Sequence, residues 1–354
     1  MMLPTEQVGS IPRPAALIRG IQDFEAGHIS QPELTALYHS AVQDTIQHLE
    51  ATGSPVITDG EQAKHSFATY SIHGLENLAS DGIPIPFADG HIRKLPRITA
   101  GPFRYKTPAD VYLEIAQKYA HVPLKQAVIS ASALSLLYPQ GGIPGYSRER
   151  YLDALITEQE GEIRRCLKKG AHVVQMDFTE GRLSIKLDPT RRLLHSFIDL
   201  NNMVLERFSA EERKRIGVHT CPGADRHSSH SAEVDYAELL PSLFELLASN
   251  FYIQLASEPD RKRVLKMIRE HAKDGQRIFV GVIDPLDTRV ETPEEVRDRI
   301  LEAAEYIPLD RLGTTDDCGF APFADDTSRT RETAFDKIRA RVAGTALASK
   351  VLGL

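Results

Sequence analysis

Short apolar or β-branched runs recur along the chain, beginning near Val8, Val56, Ala127, Val173, Ile216, Phe251, Ile278 and Leu312, and each gives way to polar or glycine-containing residues. Between them lie stretches with helical periodicity, among them Gln31 to Thr52, Tyr151 to Lys169, Tyr236 to Ala248, Asp260 to Lys273 and Pro293 to Ala304. Strand and helix alternating eight times predict an α/β fold, a closed (β/α)8 TIM barrel rather than an open doubly wound sheet.

Local punctuation supports these elements. Thr292, Pro293 and Glu295 form a capping-box pattern with proline in the first helical turn, and Ser209 with Glu212 forms a second. Gly170 stands where a helix must stop before the run at Val173. The spacing is uneven: the long gap after Val56 predicts an insertion at about 62–120 within a single 1–354 barrel domain. Its Gly- and Pro-rich part, Asp81 to Pro108, is expected to form a hairpin or extended excursion over the barrel mouth. No repeat of 20 to 50 residues is found, which argues against a solenoid.

Composition narrows the function. The 354 residues are 42% apolar and 26% charged, which is ordinary for a chain that folds. A net charge of -7 without a dominating basic run argues against a nucleic-acid surface. Neither a membrane-spanning apolar stretch nor a secretory signal pattern is found, so the expected location is cytoplasmic and the expected partners are small molecules, with a homo-oligomer left open. Three cysteines cannot all pair with one another, and in a reducing compartment they are expected to be free or bound to metal.

In a barrel of this kind the working residues sit at the C-terminal ends of strands. Polar clusters fall there: Gly9-Ser10, Asp59-Gly60-Glu61, Asp177, His219-Thr220-Cys221, Glu258, Asp284 and Asp316-Asp317-Cys318. His219 and Cys221 are two apart on an extended segment and share a side. Cys318 ends another strand far along the chain, and barrel closure brings such ends to one mouth. Two thiolates and an imidazole suit a borderline-soft ion, Zn2+ first, and three protein ligands leave a position open for a thiol substrate. Bound in that position, a thiol loses its proton and becomes a strong nucleophile. The bland alternative is a buried core histidine and inert core thiols. Cys166, within a helical run, is read in that bland way.

At these residues the chain resembles the catalytic half of cobalamin-independent methionine synthase, in the short single-barrel branch of the methionine synthase/uroporphyrinogen decarboxylase superfamily. The resemblance runs from Val8-Gly9-Ser10-Ile11 through Asp59-Gly60-Glu61, Gln175-Met176-Asp177 and His219-Thr220-Cys221 to Asp316-Asp317-Cys318-Gly319. It implies zinc on His219, Cys221 and Cys318, an amino-acid pocket lined by Ser10, Glu61 and Asp177, and methyl transfer to homocysteine as a step of methionine biosynthesis. The sequence departs from the family in three places. The family's fourth zinc ligand, a Glu, falls at Ala256, so Glu258, or Gln254, is the expected substitute. Where the family has a catalytic His this chain has Ile283-Asp284-Pro285-Leu286, so Asp284 is the expected proton donor or holder of the substrate amine, with a strand-end cap as the plain alternative. Folate-contacting segments and the duplicated N-terminal half have no clear counterpart, which leaves the donor open among methyl-folate, a corrinoid methyl group, another methylated molecule and an epoxide.

A metal-independent uroporphyrinogen decarboxylase-like enzyme is the competing reading. It requires an arginine-rich cleft for several carboxylates, for which Arg13, Arg93 and Arg104 are the candidates. The loop Pro222 to Asp235, with Asp225, Arg226, His227 and His230, and the segment Asp325 to Arg331 are open between substrate contact and plain solvated loop.

Overall fold

A computed structural model describes residues 2–354, so Met1, at the head of the expected 1–354 domain, lies outside the described residues. Six strands, β1 (Gln126–Ile129), β2 (Val174–Asp177), β3 (Ile216–Thr220), β4 (Asn250–Ile253), β5 (Arg277–Ile283) and β6 (Leu312–Asp316), lie side by side in chain order and all parallel. Their residues are buried on both faces apart from Arg277, as parallel strands sheathed in helices must be.

The runs expected near Val8 and Val56 complete the ring without becoming regular strands. Thr5 bridges Thr314 on β6 and Ile57 bridges Leu124 just before β1, both in parallel sense. Between these two segments the Ile11 N–H donates to Gly60 O at 3.0 Å and Gln7 Nε2 to Thr58 Oγ1 at 3.1 Å. Prolines at positions 4, 12, 14 and 55 explain the sparse pairing, because each removes a ladder donor. The barrel therefore closes with eight segments, six of them strands.

Helices clothe the outside. Ser209/Glu212 and Thr292/Glu295 form complete capping boxes, and Gly170 takes φ +90° just past the helix Arg148–Lys168. The pattern from Tyr236 to Ala248 instead breaks into a 3-10 turn, Tyr236–Glu238, and a short helix, Leu240–Leu243. Pro241 is the cause: it offers no N–H to a preceding turn and is tolerated only near a helix start. Among the described residues no helix is long and apolar enough to cross a membrane.

Between residues 62 and 120 the chain leaves the ring and makes two small antiparallel ladders, Leu78–Ala79 with Arg97–Ile98 and Pro84–Pro86 with Ile92–Lys94. The second reaches the loop after β3, where Ala88 N–H donates to Ser229 O at 3.0 Å. Arg93 then donates to Asp225 (Nε to Oδ2, 2.6 Å) and to Asp325 (Nη2 to Oδ1, 2.9 Å), binding this hairpin to the loops that follow β3 and β6.

The closing helix Arg331–Val351 is tied to β6 by a fully buried ion pair, Arg341 Nη1 to Asp316 Oδ1 at 2.6 Å. Truncation of one partner strands a charge in the core. Arg341→Ala is expected to lower the unfolding free energy by about 3–5 kcal/mol, read from the urea midpoint at unchanged slope.

Candidate metal and substrate site

β3 carries His219 to the barrel mouth, fully buried, and its Nδ1 lies 3.1 Å from the carbonyl oxygen of Tyr252 on β4. A carbonyl only accepts, so the proton sits on Nδ1 and the Nε2 lone pair faces inward. That Nε2 is buried with no hydrogen-bond partner. Cys221, just past β3, and Cys318, two residues past β6, present Sγ atoms 3.1 Å apart. A disulfide would hold them at about 2.05 Å, so both remain free thiols. One hydrogen bond couples them: it pushes the Cys221 thiol well up and, with His219 beside it, pulls Cys318 well below the ordinary thiol range.

The ligand atoms of His219, Cys221 and Cys318 all lie within 4.8 Å of one another. Zinc with sulfur at about 2.3 Å and nitrogen at about 2.0 Å sets its ligands roughly 3.3–3.8 Å apart, within small side-chain rotations of this arrangement. An unpartnered imidazole nitrogen facing two sulfurs is a donor set that fits such an ion.

The residues around Cys318 point three ways. Asp316 pairs with Arg341, and Cys318 enters the site. Asp317 Oδ1 accepts the N–H groups of Leu255 and Ala256, both at 2.8 Å, while Oδ2 accepts the N–H and hydroxyl of Ser257, both at 2.7 Å. Asp317 thus ties the loop after β4 to the loop that bears Cys318. A Cβ at Gly281 would overlap Asp317 Oδ1, which explains the glycine.

Ser10, Glu61, Asp177, His219 and Cys318 line a single small cavity of about 30 Å³. Ser10 Oγ accepts the Ala321 N–H at 3.1 Å, and Asp177 Oδ1 accepts Gln175 Nε2 at 2.8 Å. Glu61 sits at φ +56°, held by its N–H to Asp59 Oδ1 at 2.9 Å, and its Oε1 is already paired with buried Lys64 at 2.9 Å. Burial, opposed by His219 and reinforced by Glu61, pushes the Asp177 carboxyl up to about 7.

Glu258 and Asp284 lie outside the cavity that holds Ser10, Glu61 and Asp177. Glu258 Oε1 accepts from Arg182 Nη1 at 2.8 Å and from Gln254 Nε2 at 3.0 Å, and it is outside the three-residue donor set. The buried Arg182 guanidinium needs a counter-charge and takes this one, and Ala256 offers only a methyl group. Asp284 lies in the wall of a separate cavity with Gln254, Glu258, Asp317 and Cys318. Its Oδ1 accepts the Leu286 N–H at 2.8 Å, and burial raises its carboxyl. Cys318 and Ala224 belong to both cavities.

A larger, mostly apolar cavity of about 170 Å³ adjoins the first, sharing Phe67, Thr179, Gly223 and Ala224 with it. His230 lines it, buried, its imidazole lowered to about 4 by burial and by Lys186. Sequence reading left His230 open and passed over Phe67, Thr179 and Glu180; no local pattern marks them, because the lining is gathered from separate loops. The arginines considered for carboxylate binding are occupied. Arg13 donates to the carbonyls of Ala321, Phe323, Glu61 and Lys64, Arg93 pairs with two aspartates, and Arg104 pairs with Glu158.

With this geometry in view, comparison with known proteins is informative. The family described as "Cobalamin-independent synthase, Catalytic domain" matches residues 3–345. A methionine synthase of Saccharolobus islandicus (strain Y.G.57.14) is 23% identical over 344 residues, 97% of this chain and 94% of that protein. One from Sulfurisphaera tokodaii is 23% identical over 355 residues, 99% of this chain and 94% of its own. Among solved structures, a B12-independent methionine synthase from Shewanella sp. W3-18-1 superposes with a TM-score of 0.78 at 20% identity over the whole of both chains. A putative vitamin-B12 independent methionine synthase from Listeria monocytogenes gives 0.71 at 22% identity over 98% of each. At such identities the superpositions speak for the barrel fold.

The raised Asp177 carboxyl has a testable sign. Its folded-state pKa of about 7 lies above the ordinary 3.8, so the folded chain holds this proton longer and stability falls as pH rises between those values. In metal-free protein, Asp177→Asn is expected to reduce the fall in unfolding free energy between pH 5 and pH 7, by up to about 1.4 kcal/mol per pH unit. Urea titrations of both proteins across that range check it; parallel curves count against the assignment.

Proposed function

Since the chain belongs to the catalytic-domain family of cobalamin-independent methionine synthases, we propose that this methyltransferase alkylates the sulfur of homocysteine, with zinc held by His219, Cys221 and Cys318. The observation that carries the reading is the buried, unpartnered Nε2 of His219 facing two sulfurs 3.1 Å apart. When bound, zinc supplies Lewis acidity that makes an incoming thiol a thiolate at neutral pH.

The chain's own residues do the rest. Asp177 and the free oxygen of Glu61 attract the ammonium group of the amino acid, while Ser10 turns its hydroxyl to the carboxylate. Lys64 holds the Glu61 carboxyl group in place. The Nδ1–H bond to Tyr252 O fixes the ring plane and tautomer of His219, a support that metal-ligating histidines require. In the transfer the acceptor sulfur forms a bond to the methyl carbon as the carbon–donor bond breaks, the electron pair leaving with the donor atom. Asp284, whose carboxyl is raised by burial, lines a cavity that meets the other two at Ala224, and is our candidate to give a proton to a basic leaving atom. We read residues 62–120 as an insertion within one barrel domain. The three unpaired cysteines favour a reducing, cytoplasmic setting. The decarboxylase alternative loses its footing because Arg13, Arg93 and Arg104 are all engaged within the protein.

Purified protein is expected to carry about one zinc per chain, with metal affinity falling about 100-fold or more in Cys318→Ser and His219→Ala. In the cobalt(II)-loaded protein, sulfur-to-cobalt charge-transfer bands are expected to strengthen on adding homocysteine. Bands that ignore homocysteine, or full metal binding in the Cys318→Ser protein, overturn the reading.

A further inference from the structure

Glu180 is buried at the wall of the larger apolar cavity and plays no part in the chemistry above. Both Ser130 Oγ and Ser132 Oγ donate to its Oε1. Ser130 Oγ also accepts the Ala133 N–H at 3.1 Å, and Ser132 Oγ accepts Asn201 Nδ2 at 2.7 Å and lies 3.2 Å from Ser130 Oγ, so the two hydroxyls are held as a pair against Glu180. The carboxyl is therefore fixed in orientation, while its Oε2 is buried with no partner. Buried acceptors left in this state are rare and point to a group that completes them.

The surroundings say what kind of group. Phe67, Phe87, Ile129, Leu136, Leu183 and Phe323 are among the lining, whose exposed surface is mostly apolar, so the occupant is largely apolar; of the two cations that also line it, Arg93 is already held by Asp225 and Asp325, and Lys94 remains. The cavity borders the one containing His219 and Cys318 through Phe67, Thr179, Gly223 and Ala224, so an occupant can present a carbon towards the acceptor sulfur. We propose that this cavity binds the methyl donor, and that the donor is a compact, largely apolar molecule with an N–H group that hydrogen-bonds to Glu180. This deepens the methyl-transfer reading and rests on it for the word donor; the binding site itself does not. Glu180 is a specificity-determining residue: burial raises its carboxyl to about 7, and above that pH the carboxylate selects a nitrogen-bearing donor over an anionic one of similar shape, which it repels.

Benzamidine, a flat apolar ring with N–H groups, is the probe, and benzoate is its anionic counterpart. Calorimetric titration of the zinc-loaded protein at a pH above about 8, where Glu180 is ionised, is expected to show benzamidine binding and no benzoate binding. Glu180→Gln is expected to weaken benzamidine by about tenfold or more, and Ala133→Leu, which fills the cavity and leaves Glu180 in place, to abolish it. Unchanged cobalt–thiolate bands and melting temperature in both variants establish that they are folded. Equal affinity of Glu180→Gln and the unaltered protein, or benzoate binding as well as benzamidine, overturns the proposal. If benzamidine behaves as expected but homocysteine leaves the cobalt bands unmoved, the cavity assignment stands and the methyl-transfer reading falls.

Discussion

Two sulfurs and an imidazole nitrogen are forced together inside a closed ring of strands, and most of what surrounds them exists to keep them there. Cys221 and Cys318 are 97 residues apart in the chain, yet their sulfurs sit 3.1 Å from each other. Ring closure makes that possible, since parallel strands deliver all their C-terminal ends to one mouth. Burial makes it consequential: a nitrogen lone pair and two thiols shut away from water are costly unless something binds them. The Tyr252 carbonyl, which fixes the His219 tautomer, and Asp317, which staples the β4 loop to the Cys318 loop, are the supports that hold the donors in register.

The mouth is divided by these same loops. On one side of Cys318 lies a small cavity with Ser10, Glu61 and Asp177, already tuned by Lys64 and by burial. On the other side lie Asp284 and Glu258, the latter committed to Arg182. Over the first side the hairpin Pro84–Lys94 is fastened by Arg93 to Asp225 and Asp325, one on each cysteine-bearing loop. Asp225 has no exposed side-chain surface, so its ion pair is far less screened than a surface one. The apolar cavity beside this hairpin is walled jointly by residues between 65 and 95 and by barrel residues such as Ile129, Glu180 and Leu183.

Much of this was legible along the chain because the signals were local. Alternating apolar runs gave the strand order, capping boxes at Ser209 and Thr292 gave helix starts, and the two-residue spacing of His219 and Cys221 put both on one side of an extended segment. Where the local signal misled, a proline usually explains it: Pro241 split an apparently continuous helix, and prolines near the first two runs reduced them to single bridges. Glu258 was the reasonable substitute for a ligand missing at Ala256, but the choice between a metal and Arg182 depends on a guanidinium 76 residues away.

The sequence by itself determined the barrel and the order of its strands and singled out His219, Cys221 and Cys318 as a candidate donor set, because periodicity and spacing act over a few residues and are written in the residue types. Only the tertiary structure decided how the charges were shared: Lys64 with Glu61, Arg182 with Glu258, Arg93 between two aspartates, and Glu180 left with an unanswered oxygen. A buried charge takes whichever partner the fold brings within about 3 Å. That distance is a property of the closed ring and its loops, and no stretch of the chain read alone contains it.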